Sequence, residues 1–139
     1  AKDNVRWKTE LPGTGHSSPV VSKGKVFVAG CVEAEKKRVL YCVDRATGKI
    51  LWEKAAVVSE LEKKHNENSW ASSTPAADGE RVYITFLDKP HLRVFCYDHA
   101  GNLVWEKSLG EFHAQHGFCS PPMLYKDLVI VNGDQDAPK

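Results

Sequence analysis

One segment of this chain is written twice. Tyr41-Cys42-Val43-Asp44-Arg45-Ala46-Thr47-Gly48-Lys49-Ile50-Leu51-Trp52-Glu53-Lys54 returns as Phe95-Cys96-Tyr97-Asp98-His99-Ala100-Gly101-Asn102-Leu103-Val104-Trp105-Glu106-Lys107, one residue shorter in the turn. Each copy reads as strand, tight turn, strand. Leu40, Cys42 and Asp44 fall on one face of the first strand, Tyr41 and Val43 on the other. Asp44 and Asp98 stand where a carboxylate accepts hydrogen bonds from turn N–H groups, and Gly48 and Gly101 supply the positive φ that a tight hairpin requires. Trp52 and Trp105 close the second strand. An indole is too large to stand free in solvent, so each is expected to pack across to the neighbouring unit.

The remainder keeps the same register. Val5-Arg6-Trp7-Lys8-Thr9 matches the end of the duplicated segment. Pro19, Pro75 and Pro122 each precede a strand valine (Val26, Val82, Val129) by seven residues. The spans predicted are the last strand of a preceding unit over 3–9, a full unit over 16–54, a second over 70–108, and the first half of a third over 117–139. Variation is confined to the loops, as in a repeat architecture. Four short strands per repeat, at a period of roughly 40 to 50 residues, predict blades of a β-propeller, and one blade cannot cover its own apolar faces. The fold expected is all-β, a partial propeller of four-stranded antiparallel blades. Residues 55–68 form the longest excursion, where Val58, Leu61 and His65 predict one or two helical turns. The mixed-charge stretches 33–38 and 60–64 are read as solvated loops or a short helix.

The repeat, with Ser17-Ser18-Pro19-Val20-Val21, then Val26-Phe27-Val28, then Asp44-Arg45-Ala46-Thr47-Gly48-Lys49-Ile50-Leu51-Trp52-Glu53, resembles the PQQ-binding-like β-propeller family. Nearly the whole chain shares in the resemblance. It makes the Trp-ending strand a tryptophan-docking motif, with Asp44, Gly48 and Trp52 at the family's offsets. The second copy departs by keeping only Ala100-Gly101-Asn102 in its turn. Family members usually close eight blades, or about 400 residues at about 50 per blade. The resemblance therefore implies a fragment, periplasmic or secreted, and admits PQQ and Ca²⁺ as cofactors, although the adjacent Cys-Cys pair of the quinoprotein enzymes does not occur here. It also implies a kinship with the outer-membrane assembly factor BamB.

Nineteen basic against eighteen acidic residues leave a net charge of +1, without the clustered excess that a nucleic-acid or anionic-membrane surface needs. No apolar run approaches the roughly 20 residues of a spanning helix. Ala1-Lys2-Asp3-Asn4 carries no signal-peptide pattern, which leaves a cleaved signal or an upstream domain compatible with the sequence. Cys31, Cys42, Cys96 and Cys119 show no metal spacing. Cys42 and Cys96 fill one slot of the repeat inside apolar strands, so buried thiols are expected rather than a disulfide.

In an up-and-down blade successive connections alternate between the two ends. The first-to-second and third-to-fourth turns are short, and the second-to-third and inter-blade connections are read as long, which places every long loop at one end. That end is expected to gather His16, His65, Asn68, Trp70, His116 and Asp134 as binding candidates. His113 and His116 lack the companions of a metal site, and no metal is expected. Trp70 lies outside the repeated Trp slot and reads as a plug of the inter-blade gap or an exposed platform for a sugar or peptide. No serine has a His-plus-acid partnership, so catalytic residues are not expected. Trp7, Trp52, Trp105, Asp44, Asp98, Gly48 and Gly101 are architecture. The function expected is a non-catalytic scaffold for a protein or carbohydrate partner; the alternatives are part of a PQQ-dependent dehydrogenase and a BamB-like assembly factor. Cut blade edges predict that the isolated chain self-associates.

Overall fold

The computed structural model describes residues 3–136; residues 1–2, and 137–139 at the end of the last expected span, lie outside it. Among the described residues, ten strands form three antiparallel sheets. The first contains β1 (Val20–Ser22), β2 (Lys25–Val32), β3 (Lys37–Asp44) and β4 (Ile50–Val58) in chain order. The second repeats it with β5 (Ala76–Ala77), β6 (Arg81–Asp88), β7 (His91–Asp98) and β8 (Leu103–Glu111). The third pairs β9 (Met123–Tyr125) with β10 (Leu128–Ile130). These are consecutive blades of a partial propeller.

The repetition extends to irregularities. The β3–β4 register slips between Cys42 and Val43, and the β7–β8 register slips at the corresponding Cys96 and Tyr97. Both slips sit one step from a turn built alike. The Asp44 carboxylate accepts the Ala46 and Thr47 N–H groups at 3.1 and 2.8 Å, and Asp98 accepts Ala100 and Asn102 at 2.9 and 2.8 Å. Gly48 (φ 77°) and Gly101 (φ 89°) supply the left-handed residue.

The principal core lies between the first two sheets. Phe27, Leu40 and Cys42 from one meet Val82, Ile84 and Phe95 from the other, with Trp52 and Trp70 packed against them. The Trp52 indole crosses the gap and donates from Nε1 to the His99 carbonyl at 3.1 Å. Trp7 does the same to the first sheet, donating to the Arg45 carbonyl at 2.8 Å, although residues 3–9 pair with no other strand among the described residues. The inner strands are stitched by hydroxyls: Ser18 N–H donates to Thr74 Oγ1 at 3.0 Å, and Ser73 Oγ to the Ser120 carbonyl at 3.1 Å. Cys31, Cys42 and Cys96 are buried free thiols and Cys119 is exposed.

Three expectations are corrected. No helix forms in residues 55–68: β4 continues to Val58, and the Arg38 guanidinium holds the carbonyls of Ser59 and Glu60 that a helical turn would need. The charged stretches are not simply solvated. A short 3₁₀ turn spans Glu33–Glu35, but Arg38 is 0% and Glu62 7% exposed. The second-to-third connections are short, not long, because β6 and β7 run to Asp88 and from His91 around a two-residue turn at Lys89-Pro90. The long connections are the inter-blade ones, residues 59–75 and 112–122, and they share an end with the tips of those hairpins: Ser59 N–H donates to Lys36 O at 3.3 Å and Phe112 N–H to Pro90 O at 2.8 Å.

Candidate binding site at the connection end

The two inter-blade connections meet. His65 N–H and the Asn68 side-chain amide both donate to the His116 carbonyl, at 3.3 and 2.7 Å, and the His65 and His116 rings lie 5.5 Å apart between centroids. Both rings are exposed. Asn68 continues the contact inward, its Oδ1 accepting the Ser69 N–H at 2.8 Å. Ser69 Oγ accepts the His16 N–H at 3.0 Å. Asp134 stands on the other side of His116, where both line a cavity of about 370 Å³ with Phe112, Phe118, Cys119 and Asp136. Hydrogen bonds thus run from the His16 backbone through Ser69 and Asn68 to His116, which His65 also meets, and His116 shares its cavity with Asp134. Trp70 takes no part in those contacts: it packs on the core, donates from Nε1 to the Glu62 carbonyl at 2.8 Å, and carries Lys64 Nζ 4.5 Å above its ring.

The start of the same connection carries a charge network that sequence reasoning missed. Arg38 Nη2 donates to Glu62 Oε2 at 2.6 Å, and Nη1 to the Ser59 carbonyl at 2.8 Å. Ser59 Oγ donates to Asp88 Oδ1 at 2.7 Å; Arg93 binds Asp88 at 2.9 Å and Glu106 at 2.7 Å. Burial pushes the Glu62 carboxyl above its ordinary value, outweighing the Arg38 guanidinium beside it. Asp88 moves the other way: burial raises it, but hydrogen bonds from Ser59 and Arg93 carry it below the usual range. One sign of the pair was present in the repeat itself, since Arg38 occupies a slot that the second copy fills with Leu92.

The buried thiols and phenols are shifted for structural reasons. Burial raises the thiols of Cys31, Cys42 and Cys96 to about 11 and the phenols of Tyr41, Tyr83 and Tyr97 to about 12. None is poised as a nucleophile or base near neutrality. A second cavity, about 350 Å³, separates β8 from the third sheet and is walled by Trp105, Lys107, Leu109, Val129 and Val131. Trp105 packs against Tyr83 with ring centroids 5.9 Å apart and the planes tilted by 47°.

The model of the family described as "Outer membrane protein assembly factor BamB" matches residues 1–56 and again 35–137. The chain belongs to this family of PQQ-like propellers. Residues 35–56 fall in both matches and contain the first copy of the duplicated segment, as expected when one repeat aligns with more than one blade. Among solved structures, BamB from Moraxella catarrhalis superposes with a TM-score of 0.63 at 20% identity, over 91% of this chain and 33% of that one. A europium-containing methanol dehydrogenase superposes with a TM-score of 0.54 at 17% identity, over 74% of this chain and 19% of that one. These likenesses establish the fold. The chain spans about a third of the BamB structure it matches, and no curated protein matches it.

The cofactor chemistry of the dehydrogenases can be tested on the donor set. Cys42 and Cys96 are buried in different blades, and no two cysteines are adjacent. Among the described residues, no three His, Cys, Asp or Glu side chains converge into a metal-holding group. The residues present here do not fit a PQQ–Ca²⁺ site. No helix among them is long and apolar enough to cross a membrane.

Proposed function

We propose that this chain is a section of a non-catalytic propeller of the outer-membrane assembly-factor type, presenting the end that bears its inter-blade connections to a protein partner in the periplasm. The observation that carries the reading is the joint of His65, Asn68 and His116, which fastens two otherwise separate connections into one exposed surface. Loops fixed by a rigid scaffold are where propellers and other β architectures bind. The indole-on-turn contacts of Trp7 and Trp52 are read as the family's tryptophan-docking motif, holding the blades in fixed relation beneath that surface. A dehydrogenase section is the second reading; it is favoured by the methanol dehydrogenase likeness and opposed by the donor set.

Site-specific photo-crosslinking tests the proposal. A photoreactive residue replacing exposed Asn66, at the connection end, is expected to capture an envelope protein in cells, whereas one replacing Ala46, at the opposite end, is not. Capture from Ala46 alone would overturn the reading. Dye-linked alcohol oxidation by the purified protein with PQQ and Ca²⁺ would establish the second reading instead.

A further inference from the structure

Lys37 pairs with Val58 in the first blade and His91 with Glu111 in the second. The residues that follow inward and outward, Arg38 and Ser59 in one blade, Leu92 and Phe112 in the other, therefore occupy matching places. The second blade fills that place with an apolar cluster of Leu87, Leu92, Phe112 and Phe118. The first fills it with a fully buried arginine, whose Nε has no hydrogen-bond partner, and a buried carboxylate. The fold thus accepts an apolar solution here, and replacing a buried ion pair by apolar residues of similar volume is often neutral or stabilising. The charges need a reason other than holding the blade together.

Their bonds supply one. Arg38 donates to the carbonyls of Ser59 and Glu60 and to the Glu62 carboxylate, so three of the first four residues of the connection are fixed by one guanidinium. Glu62 in turn accepts the Trp70 indole N–H on its carbonyl. The path from residue 59 to residue 70 is thereby held at its start and near its end. Between these points lie Lys64, His65 and Asn68, and Lys64 and Asn68 close on Gly117, where an added Cβ would stand 3.0 Å from Lys64 Cβ. Apolar contacts are non-directional and could not choose one path for such a segment, whereas a fork of hydrogen bonds can.

We propose that the Arg38–Glu62 pair is a positioning device that selects the path of the 59–70 connection and so sets His65 and Asn68 against His116. The consequence for binding rests on the function proposed above; the positioning does not. Hydrogen–deuterium exchange on the R38L/E62L variant tests it. The expected result is a melting temperature equal to or above that of the wild type, with β3 and β6 protected as before, and amides of residues 59–70 exchanging about tenfold faster or more. Wild-type exchange across 59–70 would overturn the proposal. So would equal loss of protection in β3 and β6, which would make the pair a prop for the fold. If the double variant does not fold, R38L/S59F/E62L, which copies Leu92 and Phe112, carries the same test, and its failure to fold would also overturn the proposal. Loss of crosslinking from position 66 in a variant with normal melting would join the positioning to the binding surface; normal crosslinking with fast exchange would contradict that link alone.

Discussion

The Trp52 indole lies so close over Gly101 that a Cβ built on that glycine would stand 2.9 Å from Trp52 Cδ2. Trp7 sits over Gly48 in the same way, at 2.6 Å. Each turn glycine therefore has two duties: it takes a positive φ, and it leaves room for an indole from the segment that precedes its own blade or hairpin.

The two duties can be separated by comparing glycines. Gly24 (φ 75°) would place a Cβ against nothing within 4 Å, whereas Gly48 (φ 77°) would drive one into Trp7. Gly24→Ala is expected to cost about 1 kcal/mol for the left-handed conformation. Gly48→Ala should cost about 1–3 kcal/mol more, the usual penalty of overpacking. Urea denaturation of both variants checks the difference, and equal costs would mean that the indole yields freely.

Acid should loosen the turns. Thr47's hydroxyl and N–H hold the Asp44 carboxyl below its ordinary 3.8, and the Asn102 side chain and N–H do the same for Asp98. A depressed folded-state value means that the stabilisation is complete above the unfolded value and is lost as pH falls through the folded one. Melting temperature should therefore fall below about pH 4, and the fall should be shallower in D44N/D98N. Glu62 works with the opposite sign. Its raised value makes ionisation a cost that grows as pH rises from its ordinary 4.5 through that raised value, so E62Q should remove a decline in stability over that window. Thermal melts from pH 3 to 7 resolve both effects.

Thiol reactivity should divide the cysteines cleanly. Cys31, Cys42 and Cys96 are buried and raised to about 11, while Cys119 is exposed. A disulfide reagent at pH 7 is expected to label Cys119 rapidly in the native protein and the other three only on denaturation. Peptide mapping that found fast native labelling of Cys42 or Cys96 would contradict the described core.

The 139-residue polypeptide on its own is expected to self-associate. Met123, Tyr125, Leu128 and Ile130 on the third sheet and Val104 and Leu109 on β8 are exposed large apolar residues, and β8 is an unpaired edge. Light scattering should report oligomers or concentration-dependent mass. A stable, folded monomer would contradict the expectation.

The blades were legible because their determinants are local and repeated. Short apolar runs rich in Val, Tyr and Phe mark β2, β3, β6 and β7, an Asp and a Gly mark each third-to-fourth hairpin, and a Trp marks each outer strand. The connections were not, because their course is decided by partners distant in sequence. The apolar spacing of Val58, Leu61 and His65 suggested a helix only while Arg38 was counted among solvated charges. Once its guanidinium takes the carbonyls of Ser59 and Glu60, that segment must extend. Likewise nothing local in Leu87-Asp88-Lys89-Pro90-His91 announces that strand pairing persists to Asp88 and His91. Of the candidate residues, the meeting of His65 and Asn68 with His116 follows from where the connections lie, and the inward turn of Trp70 from its Glu62 partner.

A double-mutant cycle on Trp52 and Gly101 tests the central claim, that successive blades are joined by an indole seated on the next blade's turn. Trp52 is half-buried against the core, so Trp52→Ala is expected to cost somewhat less than the roughly 3–5 kcal/mol of a fully buried tryptophan. Gly101→Ala should carry both the positive-φ penalty and the clash in the wild-type background, but only the former when Trp52 is absent. The account predicts a coupling above about 1 kcal/mol between the two substitutions in chemical denaturation; additivity to within about 0.5 kcal/mol would show that the two residues do not meet.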